Sequence, residues 1–359
     1  MRSPSHRSSR PPATAWPLGA GSKALHHPEA MTRFQKLTLA TALVTYLVVV
    51  MGAITRSTGS GMGCGYEWPL CHGVLPPLGD GPAWIEWFHR LLALTIGFLI
   101  TAVLVVAVLR HRDRPVVVGS AVVGFILVLI QAQLGQITVV TGNASQWVVA
   151  HLATAMLVLA VLTFIAIRVQ SPGRFGAGGA SQRFTLLSGA AALAVYALLL
   201  LGSNVTATGA ALIYPDWPLF RGAVLPAFSA TPSVAVLQQA QFIHRLAAAL
   251  VGLLVLASAW VAWRPYRGGG WGPLATRPAL LRLTGLALLL FLAEIVVGAL
   301  QIWTTLTPWA VALHVALGAA IWALLVAASA RSYCEARTSV AVPVPGVSAP
   351  VVADRGDPA

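Results

Sequence analysis

Four histidines, His89, His151, His244 and His314, stand within long apolar stretches of a 359-residue chain. A polar side chain at membrane depth is costly and is usually kept for function. The four come as two matched pairs. WIEWFHRLLALTIGFL at 84–99 returns as AQFIHRLAAALVGLL at 240–254, and IQAQLGQ leads to His151 at the separation at which LAEIVVG leads to His314. One such histidine is as well explained by an interhelical hydrogen bond or an interfacial position, but four at matched positions are not. Neutral imidazole is a good iron ligand, and two facing imidazoles in a helix bundle suit axial ligation of a haem. Zinc would need a third or fourth ligand, and only Glu86 is at hand, in one half alone.

The two halves differ where chemistry would be decided. Glu86 precedes His89 by one helical turn and shares its face, whereas the matching position before His244 is Gln241. A carboxylate beside a haem can move protons or stabilise positive charge, and an amide cannot titrate. On this reading the first half is catalytic and the second holds a haem for electron transfer or structure. The competing reading makes Glu86 a first-turn residue favoured by the helix dipole. Glu294, opposite Gln131 in the repeat, is a second buried acid suited to a structural hydrogen bond. Arg90 and Arg245 each follow a candidate ligand; they either snorkel to headgroups or fork onto haem propionates. Cys64 and Cys71 fall in the first outer loop, on the side where a disulfide persists, as a structural bridge or a redox-active pair. In the repeat Phe220 takes the place of Cys71, and Ala210 or Ala211 that of Cys64. Cys334 follows the last apolar stretch and is expected to stay a thiol. Thr58-Gly59 and Trp68-Pro69-Leu70 read as turn and packing residues of the loop.

The elements that must position these residues follow from composition. Hydrophobic residues make up 57% of the chain and charged residues 9%, against about 25% charged in an ordinary soluble domain. That excludes a soluble globule and a disordered chain, and three cysteines are too few for a disulfide-stapled module. Apolar runs of about 20 residues, the length that spans a bilayer, recur near 37–55, 88–109, 116–140, 148–169, 185–205, 241–263, 281–303 and 309–330. The formal charge of +13 does not mark a nucleic-acid partner. All of the 23 basic residues except Arg56, Arg90, Arg221 and Arg245 lie at the chain ends or in alternate loops. By the positive-inside rule those loops, with Arg110, Arg168, Arg174, Arg264 and Arg267, and both termini are cytoplasmic.

GAITRSTGSGMGCGYEWPLCHGVLPP at 52–77 also returns, as GSNVTATGAALIYPDWPLFRGAVLPA at 202–227. Four helices followed by four in the same orientation are a parallel duplication about an axis along the membrane normal. The expected fold is an all-α membrane protein: eight transmembrane helices as two pseudo-twofold-related four-helix bundles with extracytoplasmic loop caps. Its parts are a disordered cytoplasmic extension at 1–30, whose end at Met31 reads as an alternative start; a half at 31–170; a cytoplasmic linker at 171–184; a half at 185–330; and a disordered tail at 331–359. A transporter with parallel repeats would show interrupted helices and a midplane polar site, while these histidines gather near the outer helix ends. A bis-histidine transmembrane cytochrome b serving a quinol fits the pattern as well as an enzyme does.

Taken together, TRSTGSGMGC, EWPLC, IEWFHR, VVAHLATAM around His151, FIHRLAAA and ALHVALGA closely resemble the heme A synthase family of aa3-type oxidase maturation over about residues 31–330. The resemblance implies oxidation of the C8 methyl of haem O to the formyl of haem A, by two hydroxylations and loss of water. It implies that the N-terminal half receives haem O between His89 and His151 with Glu86 as the catalytic carboxylate. It implies a b-type haem held in the C-terminal half by His244 and His314. Cys64 and Cys71 match the family's first-loop pair, while the second pair found in many members is missing. The expected partners are haem O, membrane lipid and an electron acceptor that the sequence does not name; docking of a haem O synthase and a homo-oligomer are left open. The expected location is a bacterial cell membrane.

Overall fold

The computed structural model describes residues 30–74, 80–170, 182–264 and 277–335. The extension at 1–29, most of the 171–184 linker with Arg174, the loop with Arg267, and the chain beyond Glu335 lie outside these residues. All eight expected spans are helices long and apolar enough to cross a membrane. They are α1 (Arg33–Ser57), α2 (Gly81–Arg110), α3 (Pro115–Val140), α4 (Ser145–Gln170), α5 (Gln182–Ala207), α6 (Pro232–Trp263), α7 (Arg277–Trp303) and α8 (Pro308–Glu335). Apolar surface turned to lipid costs nothing, so large side chains such as Leu43, Leu94, Phe98, Leu193 and Leu289 are exposed.

Helix boundaries depart from the apolar runs where caps take over. α2 starts well ahead of residue 88 because Asp80 accepts the Ala83 N–H at 3.3 Å and Pro82 occupies the first turn. α6 starts ahead of 241 at Pro232, after an extended Thr231. Both extensions project each helix into the outer loops. His89 and His244 therefore lie about 12 and 18 Å along their helices, at 1.5 Å per residue, further in than the helix ends near which the sequence puts them. His151 and His314 lie about 9 Å in, as expected. Two expected boundaries also move. α5 already contains Phe184, which is fully buried, and α8 continues past Arg331 through buried Ser332 and Cys334. A hydroxyl pair between Thr185 and Ser332, 2.8 Å apart, ties the two helix ends, a contact that apolar periodicity does not register.

The helices close into two rings. α1 packs on α2 and α4, and α3 on α2 and α4; α5 packs on α6 and α8, and α7 on α6 and α8. The rings join through α4 on α8, with α1 on α8 and α5 on α4 as matching flanks. Tyr46 of α1 donates its hydroxyl to Ala316 O of α8 at 3.1 Å, and Tyr196 of α5 donates to Ala153 O of α4 at 3.3 Å. These two bonds are mates under the duplication. Such interhelical bonds matter where lipid offers no hydrophobic drive between helices. The central core draws Val49, Met156, Leu159, Val255, Phe291 and Leu325 together, with small residues such as Ala191, Ala192 and Ala319 letting backbones approach. A second core, with Ile100, Val103, Val117, Leu162 and Ile165, fills the first ring.

Candidate functional site

The α1–α2 and α5–α6 connections fold alike. Gly59 (φ 70°) and Gly209 (φ 79°) turn the chain left-handed into single 3-10 turns at Ser60–Met62 and Ala210–Leu212. Beyond them, Trp68-Pro69 and Trp217-Pro218 are both cis, and short bridges pair Cys71 with Val74 and Phe220 with Ala223. An acid braces each tip. Glu67 accepts the Gly73 N–H at 2.7 Å; Asp216 accepts those of Arg221 and Gly222 at 2.7 and 2.8 Å. His72 is exposed and lies 2.9 Å from Gly63 O through Nε2.

The Gly222 N–H, and then that of Arg221, hold the Asp216 carboxyl below its ordinary value. A depressed native value means that this brace is fully present above the unfolded aspartate range and is lost as pH falls through the native value. Protection of the 208–231 loop amides, taken relative to their intrinsic exchange rates at each pH, should thus be unchanged between neutral pH and pH about 5 and fall only in stronger acid. Asp216→Asn should loosen the same loop at neutral pH. Equal protection in variant and parent would show that the brace is not electrostatic.

Glu86 and Gln241 clamp these caps to the helices. Glu86, 3% exposed, accepts the Cys64 N–H at 2.9 Å on Oε2 and the Arg90 guanidinium at 2.5 Å on Oε1. Gln241, also 3% exposed, accepts the Tyr214 N–H at 3.0 Å and donates to Ala211 O at 2.6 Å. Glu86 lies beyond the first turn of α2, which removes the dipole as its reason for being there. The clamp also corrects the repeat: Tyr214, not Ala210 or Ala211, stands where Cys64 stands. Cys64 and Cys71 are joined by a disulfide, whereas Tyr214 and Phe220 meet edge to face at 5.1 Å. An aromatic pair thus fills, in the second cap, the place that a covalent bridge fills in the first.

Arg90 and Arg245 do the same work in both halves. Arg90 donates to Pro69 O and Leu70 O, and Arg245 to Leu219 O, Tyr214 O and Asp216 O. Neither set of bonds uses the Nε–H. Arg245 has no carboxylate counterpart to Glu86, so the cap does not need that charge.

Each histidine pair sits on diagonal members of its ring, α2 with α4 and α6 with α8. All four leave Nδ1 buried without a hydrogen bond, at a cost of about 1–3 kcal/mol each. Gln131 Nε2 lies 3.2 Å from His151 Nε2. Its repeat mate Glu294 places Oε1 3.1 Å from His314 Nδ1, out of hydrogen-bond alignment, and leaves Oε2 buried without a partner. Four imidazoles with unmet nitrogens, paired across the diagonals of two rings, fit a planar group carrying a metal at its centre. Among the described residues no cluster of three or more metal-binding side chains occurs.

Eight membrane-crossing helices with duplicated caps and paired imidazoles define a multi-pass membrane protein with two histidine-lined bundles. The chain belongs to the COX15-CtaA family of cytochrome oxidase assembly proteins, whose model matches residues 35–326. Among its curated relatives are the Heme A synthase of Symbiobacterium thermophilum, 32% identical over 82% of this chain and 94% of the relative, and that of Geobacillus kaustophilus, 31% identical over 77% and 84%. The Heme A synthase of Shouchella clausii is 31% identical over 62% of this chain and 73% of its own length.

Proposed function

We propose that this chain is a heme A synthase: it oxidises the C8 methyl of haem O to a formyl group and so supplies haem A for terminal oxidase assembly. The half at 31–170 receives haem O between His89 and His151, and the half at 185–330 holds a resident haem b between His244 and His314. Haem iron supplies redox chemistry that no side chain offers. The rest falls to this chain's own residues. The histidines hold and orient the two macrocycles. Arg90 and Arg245, each with an Nε–H outside its cap bonds, suit propionate oxygens. Glu86 is the catalytic carboxylate: once Arg90 releases Oε1, that oxygen accepts a proton from the reacting site.

The observation that carries this reading is the contrast between Glu86 and Gln241. Both clamp a backbone N–H and both lie one turn ahead of a histidine, so the clamp alone calls for no charge. A carboxylate in one cap clamp only, with an amide as its mate in the other, is what an active site and an inactive copy of it would show; Glu294, 3.1 Å from His314 in the second half, takes no part in either clamp. A cytochrome b passing electrons to a second carrier needs no such difference, and the relatives carry the name Heme A synthase. Electrons leave to an acceptor outside the chain. The basic loops support a topology with both termini on the cytoplasmic side of a bacterial cell membrane.

Extraction and identification of the haems from the purified full-length protein tests this. The expected result is haem b together with haem O, its hydroxylated form or haem A. Haem b alone at both sites would make the chain an electron carrier.

A further inference from the structure

One glycine on each odd-numbered helix stands opposite a histidine of the even-numbered helix that follows. A Cβ built on Gly202 of α5 would lie 2.9 Å from His244 Cε1, and one on Gly52 of α1 would lie 3.1 Å from His89 Cε1. On Gly135 of α3 it would lie 3.1 Å from His151 Cε1, and on Gly298 of α7 3.4 Å from His314 Cε1. Every one of the four imidazoles therefore sits on a glycine of the helix that precedes its own.

The pattern keeps the duplication in detail. Cβ atoms at Gly52 and Gly202 would meet both nitrogens of the ring within 4 Å, whereas those at Gly135 and Gly298 would meet Nδ1 but not Nε2. The α4 and α8 rings are thus turned with Nε2 away from the glycine, and the α2 and α6 rings are seated edge-on. General helix crowding does not explain this: Gly97 on α2 and Gly119 on α3 have nothing within 4 Å of a built Cβ. Gly252 on α6, equally tight at 2.9 Å, faces the Phe291 ring and no histidine.

We infer that Gly52, Gly135, Gly202 and Gly298 are positioning residues, seats whose missing side chains fix the plane and depth of the four imidazoles toward the haems. The inference rests on the haem ligation proposed above. A methyl group on Gly202, 2.9 Å from the ring, cannot be absorbed without moving either the ring or the helix, and a packed interior resists helix movement; on Gly52 and Gly135 the ring must give by a few tenths of an ångström, while on Gly298 the methyl only touches it. The ring therefore rotates or rises, and its ligating nitrogen leaves the axial position. Outer-shell changes of this kind commonly cost 10–100-fold in metal affinity.

The test compares Gly202→Ala, Gly298→Ala and Gly252→Ala in the purified full-length protein, reading the low-spin haem signal by electron paramagnetic resonance and the haem retained through washing. Gly202→Ala should shift the signal and lower retention about 10-fold or more. Gly298→Ala, with more room, should shift the same haem less. Gly252→Ala should cost thermal stability and leave the haem signal unaltered, as a merely structural glycine would. An unaltered signal in both Gly202→Ala and Gly298→Ala would overturn the inference, and so would an equal shift in Gly252→Ala. Should Gly202→Ala not fold, Gly298→Val, whose larger side chain must press on the His314 ring, against Gly252→Ala decides by the same criterion. An unsubstituted protein lacking any bis-histidine haem would instead sink the ligation reading on which the seats depend.

Discussion

Glu86→Gln should leave the protein folded and its C-terminal haem bound while haem A production falls at least about 100-fold, the lower end of what a positioned acid or base contributes. The second half of the molecule argues that the fold tolerates the change. Gln241 already clamps the Tyr214 N–H at 3.0 Å where Glu86 clamps that of Cys64 at 2.9 Å. Arg245 keeps its place on three cap carbonyls without a carboxylate at that position, so Arg90 retains Pro69 O and Leu70 O when its anion is removed. What the variant loses is charge and a titratable oxygen. Pigment analysis of membranes that also contain a haem O source measures the effect. Haem A at the parent level would reduce Glu86 to a cap clamp and leave the catalytic group unidentified.

His244→Ala and His314→Ala should each remove the resident low-spin haem, whereas His89→Ala should not. The reason is the ring geometry: α6 and α8 face one another across the diagonal of their own ring, and the first pair belongs to the other. Truncating one imidazole leaves an open axial position and a cavity in place of a ligand. Absorption spectra of the purified variants report this directly. A bis-histidine spectrum unchanged in either variant would mean that the second macrocycle is held by other residues.

The sequence shows the outline of this site more fully than its mechanics. The eight spans, the duplication and the four histidines are legible because apolar length, repeated words and rare polar residues are properties of residue type. The clamp on Cys64 N–H was not legible, since a backbone donor carries no signature of its own. The Tyr214 counterpart of Cys64 was hidden by a one-residue difference in length: Gly65-Tyr66-Glu67 in the first cap stand against Pro215-Asp216 in the second. Tyr46 and Tyr196 pass as ordinary apolar-helix tyrosines until their acceptors on α8 and α4 are known. The outer turns of α2 and α6 lie beyond any hydrophobic signal and depend on Pro82, Pro232 and the caps around them.

The duplication also suggests how the two halves came to differ. The caps share their turns, their bridges and the clamp on a backbone N–H, yet one is closed by Cys64–Cys71 and the other by Tyr214 against Phe220. Both solutions hold the loop over its bundle. Only the first can be opened by reduction, and it is also the one that covers Glu86.

The central claim is best tested by expressing the full chain in membranes of a host that makes haem O but no haem A, and analysing the extracted pigments. The account predicts haem A, with its hydroxylated precursor, in the presence of this chain and neither in its absence. Haem O left unconverted beside well-folded protein that retains its bis-histidine haem would contradict it.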